Sequence, residues 1–573
     1  MHEITNLRMA AALLSMSPLL TIAATPDAGQ LLNERQRVEQ PASRPSTEPK
    51  ADANALSQAA GQPGLTALVQ QVRFTGADGL ATETELQAWV ADGVGQRLNH
   101  AQMQALAARV TARLQAKGYL LARAYLPRQD LSGGELQIAV VPGRLQEGPG
   151  RLGLTGGNAA LQARLRVIAD ANLPEGPPKA EDLERALLLM RDVPGITVRS
   201  ALAKGDQPGT SRIEAQVEEQ RAWGVSASVD NFANRYTGDV RATVRGVLNR
   251  PLEREDQAFV SLSKTRDTSQ AAASYAWALS PKGLRANVNA SYLRYSVGLE
   301  LEPLELRGTA RSLGAGLSFP LQRARESNVW LNLDAEDRRL DDDALGVSLH
   351  RRRVDRVNVG FSANAWDERF GGGQTDWGLG VASGQVSLAR NPDDARADAV
   401  GASTQGSFTK LNWHVGRNQS LPGLGSWTLF VSANGQLATD NLDSSEKFIL
   451  GGPAGVRAYA VGEASGDSGW LASMELRRDF RFYGLRAQGL GFLDVGGITQ
   501  HQNPWTGALA DPSTNHYRLA GAGLGLNVSG ERWSVRSAWA HTLGHNRGRS
   551  ANGLEADGRA ERQRAWVQLN VAY

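Results

Sequence analysis

The sequence contains no cysteine among its 573 residues. That excludes a disulfide-stapled scaffold, thiolate metal clusters and a cysteine nucleophile. Long apolar runs are scarce, and the mean hydropathy is -0.35. A bundle of membrane helices needs about 20 consecutive apolar residues per span, so that class is excluded as well. A membrane β-barrel is not, because its alternating strands average out to polar. Net charge is nearly absent: 62 Lys and Arg face 59 Asp and Glu, leaving +3. This is not the balance of a nucleic-acid-binding protein, so no nucleic-acid partner is expected. What the chain does have is glycine, 62 in all, and length. That length corresponds to about four ordinary domains, unless one part is a large all-β unit.

Residues 1–24 read as a secretory leader. A short polar start ends at Arg8, and an apolar stretch over 9–24 is broken by Ser15, Ser17, Pro18 and Thr21. Small residues at Ala23 and Ala24 suit cleavage near 24. The mature chain is then exported. Residues 25–40 can form one helix whose thin apolar stripe holds Ala28, Leu31, Leu32 and Val38. The rest, including Arg35, is polar, which suits a wet cavity better than a dry core. Residues 41–64 are rich in Pro, Ala, Ser and charge and read as a flexible linker.

Two small α/β units follow, over 65–144 and 145–221. In the first, 67–74 reads as a strand, Thr82 and Glu85 form a capping box, and Asn99 caps a second helix closed by Gly118. Strands over 120–126 and 135–141 complete the order β-α-α-β-β. The second unit repeats that order, with a strand at 151–155, helices at 159–171 and 180–191, and strands at 196–203 and 212–217. Two successive copies of one order are an internal repeat.

From about 222 to the last residue the period is two. Val357, Val359, Phe361 and Ala363 alternate with Asn358, Gly360, Ser362 and Asn364, for example. Such runs number roughly sixteen, each of about ten residues, the length that crosses a bilayer when tilted. A soluble sandwich or propeller also alternates, but its strands are nearer five or six residues and its outer faces are charged. The fold expected is therefore a membrane β-barrel of about 16 antiparallel strands, preceded by two small α/β domains and an N-terminal helix. An even strand number puts both ends of the barrel, and the small domains, in the periplasm.

The longest non-alternating stretch of the barrel runs over 441–468 and contains Val456, Arg457 and Tyr459. Long ordered loops are usually functional. Nearby, alternation turns Phe492, Asp494 and Gly496 inward and Leu493 and Val495 outward. An inward Asp is costly unless paired. Arg457, on a loop folded into the lumen, is one partner for it, and Glu475 on the preceding strand is a second candidate for the same cluster. Spacing alone leaves open that Arg457 is an ordinary loop arginine and Asp494 one of many lumen charges.

These motifs together resemble the TpsB family of two-partner secretion transporters, the haemolysin-activator and filamentous-haemagglutinin type (ShlB/FhaC/HecB). Val456-Arg457-Ala458-Tyr459 resembles the family's VRGY loop motif, with Ala458 in place of Gly. Phe492-Leu493-Asp494-Val495-Gly496 resembles its FxDxG wall motif. Gly118, Tyr119, Arg123, Leu126 and Pro127 fall within a stretch resembling the signature of its first POTRA (polypeptide-transport-associated) domain. The resemblance implies an ATP-independent outer-membrane pore that exports an unfolded TpsA-type exoprotein and is neither an enzyme nor dependent on a cofactor or metal. It implies that Arg457 locks the loop to the wall, that Leu31, Leu32 and Arg35 belong to a plug helix, and that the POTRA residues serve partner binding. It further implies contact with outer-membrane lipid, periplasmic chaperones and the barrel-assembly machinery. An outer-membrane insertase of the BamA type is the alternative, although it usually carries more POTRA copies.

Other signals are set aside. Gly466-Asp467-Ser468-Gly469 copies a serine-protease string but has no His and Asp brought to it. His541 and His545 lie on a strand and turn, where a spacing of four does not converge on a metal. Gly521, Gly523 and Gly525 alternate within a strand and form no phosphate loop. Arg351-Arg352-Arg353 reads as an extracellular or rim cluster.

Overall fold

The computed structural model describes residues 25–39, 66–509 and 512–573. The leader expected over 1–24 and the linker expected over 41–64 lie outside the described residues.

The alternating half of the chain closes into a barrel of sixteen strands. Its first strand, Trp223–Asp230, pairs antiparallel with its last, Gln563–Ala572. Outward apolar side chains have no protein cover: Leu313 is 64% exposed and Leu524 65%. Such a contiguous uncovered band is a lipid face. Strand length departs from the uniform ten residues expected. It runs from 8 residues in Trp223–Asp230 to 21 in Val347–Asp367. The physical reason is visible in the hairpin of Ser327–Ala344 and Val347–Asp367. Near its tip the outward residues are charged and paired, Arg353 with Asp337 at 2.6 Å and with Asp355 at 3.0 Å. Charge on that face does not sit in hydrocarbon, so these strands continue past the bilayer.

The first α/β unit keeps the expected helices, with both capping boxes formed: Thr82 with Glu85, and Asn99 with Gln102. Its first strand differs from the sequence reading. Instead of one strand over 67–74 there are two, Thr66–Val69 and Gln71–Thr75, which change partner at Gln70. The first pairs antiparallel with Gln96–Asn99 and the second parallel with Glu135–Val141. The strand expected over 120–126 is only Arg123–Tyr125, because the chain leaving Gly118 first turns, with Ala122 N–H donating to the Tyr119 carbonyl at 3.0 Å. Gly118 sits at φ +99°, a conformation that favours glycine.

The second unit holds helices Ala159–Asn172 and Ala180–Arg191 on a sheet completed by Ile196–Lys204 and Thr210–Glu219. The two units touch where Ala180 N–H donates to the Gly118 carbonyl at 2.8 Å. The second unit is fastened to the barrel's periplasmic rim. Arg323 grips both Asp192 carboxylate oxygens, at 2.8 and 3.0 Å, and Asn172 donates to the Pro281 carbonyl at 2.9 Å.

Candidate functional site

The lumen is filled from two sides. The loop 439–467 folds inward from the extracellular end, and helix Ala28–Glu39 lies across the pore. The loop carries its own short hairpin, Phe448–Ile449 with Ser465–Gly466. Its tight turn requires Gly455, where an added Cβ would come within 1.9 Å of the Leu450 carbonyl oxygen.

Arg457 and Asp494 meet at the loop tip. The guanidinium donates to both Asp494 oxygens, Nε at 2.8 Å and Nη2 at 2.7 Å, and the Arg457 backbone N–H adds a third bond at 3.1 Å. Nη1 donates to Glu475 at 2.7 Å. The guanidinium carbon stacks 3.5 Å from the Phe492 ring centroid. Bidentate, charge-assisted pairing with an aromatic backing is geometry that arginine supplies and lysine does not. Val456 and Tyr459 are buried in an apolar cluster that contains Leu450, Phe492 and Tyr517. Gly496 makes room for that cluster: a Cβ there would lie 2.2 Å from Leu450 Cδ1.

Three contributors have little or no signal in the motifs. Ser473 donates to Asp494 at 2.7 Å and accepts from Arg457 at 3.1 Å. Trp566, on the last strand, donates its indole N–H to the Arg457 carbonyl at 2.7 Å. Gly521 lies under the loop, where a Cβ would stand 2.5 Å from that of Ala458. Of the Gly521-Gly523-Gly525 alternation Gly521 alone meets the loop, while Gly523 makes room for the Phe492 ring, whose Cζ would lie 2.5 Å from a Cβ there. Ala458 does not adopt positive φ, so alanine fits where the motif has glycine.

The helix is held by ion pairs and by an apolar cap. Asp27 accepts from Gln30 N–H at 2.8 Å at the helix start and pairs with Arg352 at 2.9 Å. Arg352 also pairs with Asp342 on the wall at 2.8 Å and with Asp443 on the loop at 2.9 Å. A second centre lies deeper. Arg338, 1% exposed, bridges Glu446 of the loop and Glu336 of the wall at 2.7 Å each and reaches Gln36 of the helix at 3.2 Å. Lys410 closes on Glu446 at 2.7 Å. Arg35 is buried and reaches Thr243 at 3.5 Å.

Two sequence expectations change here. Arg351 and Arg353 do stay at the rim, but Arg352 between them points inward and centres the helix contacts. The helix surroundings are not uniformly wet, either. Ala28, Leu31 and Leu32 are buried in a cluster with Leu293, Tyr295, Leu306 and Phe408, because the loops after 296 and 387 fold apolar residues over the mouth. Asp467, from the protease-like string, anchors the inward loop. It is buried, pairs with Lys447 at 2.8 Å and accepts from the Leu442 and Gln502 N–H groups.

The five residues assigned to partner binding are not one surface. Gly118 and Tyr119 close a helix and are half-buried, Leu126 and Pro127 are half-buried, and only Arg123 faces solvent, on edge strand Arg123–Tyr125. Among the described residues there is no group of acidic residues and histidines placed to hold a metal.

Against known proteins, the family model for haemolysin secretion/activation protein ShlB/FhaC/HecB matches residues 209–528, and the ShlB-type POTRA domain model matches 67–143. Heme/hemopexin transporter protein HuxB of Haemophilus influenzae (strain 86-028NP) is 26% identical over 521 residues, which cover 88% of this chain and 89% of that protein. Outer membrane transporter CdiB of Escherichia coli is 26% identical over 521 residues, 87% of this chain and 82% of that one. The solved structure of CdiB from Escherichia coli has the same fold, with a TM-score of 0.72 at 22% identity over 94% of this chain and 96% of that chain.

Proposed function

The chain belongs to the haemolysin secretion/activation family ShlB/FhaC/HecB and is an outer-membrane transporter of two-partner secretion, and from that premise we propose how its parts divide the work. The two periplasmic units receive an unfolded exoprotein, and strand Arg123–Tyr125, an exposed sheet edge, offers backbone groups to an extended segment. The exoprotein then passes through the lumen. Helix Ala28–Glu39 closes the lumen at rest and leaves it during transport. The Arg457–Asp494 pair keeps the loop seated against the wall while the helix moves.

The observation that carries this reading is the placement of the helix. It lies across the path and is tied to both wall and loop by pairs through Arg352 and Arg338. Folding of the exoprotein outside withdraws unfolded chain by mass action, which supplies direction without ATP. No bond is made or broken, so the chain acts as a pore and not as an enzyme, with no cofactor. Periplasmic chaperones deliver the exoprotein, and the barrel-assembly machinery inserts the pore. HuxB is a heme/hemopexin transporter protein and ShlB of Serratia marcescens a hemolysin transporter protein. From ShlB we carry over the class of cargo, a secreted protein of the haemolysin type.

The test uses the absence of cysteine. A Cβ built on Gly29 lies 3.2 Å from Ser445 Cβ, close to disulfide range, but also 2.4 Å from Ser444 Oγ and 2.8 Å from the Ser445 backbone nitrogen, so the helix must shift slightly to admit it and the reduced double variant is the reference for the oxidised one. Gly29→Cys with Ser445→Cys ties the helix to the loop under oxidation. Secretion of the cognate exoprotein should stop when the pair is oxidised and return on reduction. Full secretion by the oxidised form rules out helix exit as a required step.

A further inference from the structure

The barrel closes where its first strand, Trp223–Asp230, meets its last, Gln563–Ala572. This seam is the shortest ladder in the barrel. It runs only from Ser226 opposite Ala572 to Asp230 opposite Gln568. On its other side the same first strand pairs along its whole length, with Arg241–Asn249. In hydrocarbon an unpaired backbone N–H or C=O is costly, so a short seam needs other fastenings. At the periplasmic end these are local. Tyr573 N–H donates to the Val225 carbonyl at 2.9 Å, and the Tyr573 ring stacks on Trp223 at 5.9 Å.

At the extracellular end the fastening reaches further. Asn231 extends the ladder by one residue and one side chain. Its N–H donates to the Val567 carbonyl at 3.3 Å, and its Oδ1 accepts from the Val567 N–H at 2.8 Å. Its Nδ2 donates to the Ala565 carbonyl at 2.8 Å. Asp230 steadies this end, pairing with Arg241 at 3.0 Å and accepting from the Phe232 N–H at 3.1 Å. Phe232 then meets Trp566 edge-on, with ring centroids 6.1 Å apart. Trp566 stands between the two residues that Asn231 holds and is 7% exposed. Its indole N–H is the donor to the Arg457 carbonyl. The loop tip therefore spans from Asp494, on strand Leu485–Thr499, to the last strand. These are three strands apart, about 14 Å at a spacing of about 4.8 Å. A lock that served the loop alone would end at Ser473, Glu475 and Asp494.

We propose that the inward loop fastens the barrel's seam as well as its own seat. Trp566 and Asn231 are positioning residues: through them, closure of the last strand on the first depends on a seated Arg457. An indole N–H only donates, and the buried Arg457 carbonyl needs a donor. The seated tip thus fixes the Trp566 ring, the ring fixes Phe232, and Asn231 is held against Ala565 and Val567. The wall stays sealed against lipid while the helix is away. The inference rests on the reading that the loop remains seated during transport, but its test needs no exoprotein. A seam that ignores the loop refutes the fastening and leaves that reading standing.

The test is amide hydrogen exchange, read by mass spectrometry on the full chain in detergent, with folded barrels verified by the gel shift on boiling. Trp566→Phe keeps an aromatic ring and removes the donor. Exchange over 563–573 should quicken about tenfold, as for loss of one hydrogen bond. Arg457→Ala should quicken the same stretch by a similar factor, although the Arg457 side chain contacts neither seam strand. The double variant should exchange no faster than the faster single one, since both act through one contact. Strand Gly373–Ser387, across the barrel, should keep its wild-type exchange in all three. An unchanged seam in Arg457→Ala whose loop has become open to protease overturns the proposal. So do additive effects in the double variant, which mark two independent contacts. Faster exchange in Gly373–Ser387 as well marks a general loss of stability and overturns it too.

Discussion

Arg457 is neutralised on three sides: Asp494 takes the bidentate bond, Glu475 takes Nη1, and the Phe492 ring lies beneath. Removing one partner of such a buried cluster costs about 3–5 kcal/mol, mostly through the charge left unpaired. The same residues would be far less stable around a loop that did not fit the wall, and the fit depends on glycine. Gly521 has no room for a Cβ under Ala458, at 2.5 Å. Gly521→Ala should therefore lift the loop, at an over-packing cost of about 1–3 kcal/mol. Secretion should drop and the loop should become open to protease on intact cells. Adding Ala458→Gly should restore both, because it removes the atom that clashes. Wild-type secretion and protection in Gly521→Ala alone would contradict this account of the wall.

Much of this was legible in the residue string and some was not. Capping boxes and the alternation of Phe492, Asp494 and Gly496 are local, so they read directly. That Arg352 faces the lumen is local too, because Arg351 and Arg353 share the outward face of Val357, Val359 and Phe361 and the register with strand Ser327–Ala344 slips only beyond them, at Asp342 and Asp343. What is not local is that Asp27 of the helix and Asp443 of the loop come to meet it. The partner change at Gln70 is equally hidden, because both halves of that segment have strand character and only the neighbouring strands separate them.

At the scale of elements, helix Ala28–Glu39 has two kinds of hold. Its first turn is buried in apolar side chains, and its flanks are tied by charge. The apolar hold was not legible, since the helix's own stripe is thin and the residues that cover it come from distant loops. Arg352 is the joint between helix, wall and loop. Arg352→Gln leaves Asp27, Asp342 and Asp443 facing one another without a cation, a penalty of about 3–5 kcal/mol. Even the lower figure shifts helix occupancy about 100-fold. Planar-bilayer recordings should show frequent wide openings in the variant and rare ones in wild type. Identical conductance would show that the charge joint does not hold the helix.

At the scale of the molecule, a lipid face, a wet lumen and two periplasmic units average to the ordinary hydropathy of -0.35. The central claim is that the exoprotein travels inside the barrel. Neighbouring residues of strand Arg285–Ser296 separate inside from outside, because Asn289 faces the lumen and Val288, 42% exposed, faces lipid. The most direct measurement places a photo-cross-linking side chain at one or the other position and illuminates cells arrested during secretion. Adducts with the exoprotein are expected from position 289 and not from 288. Adducts from 288, or from neither while secretion proceeds, would contradict passage through the lumen.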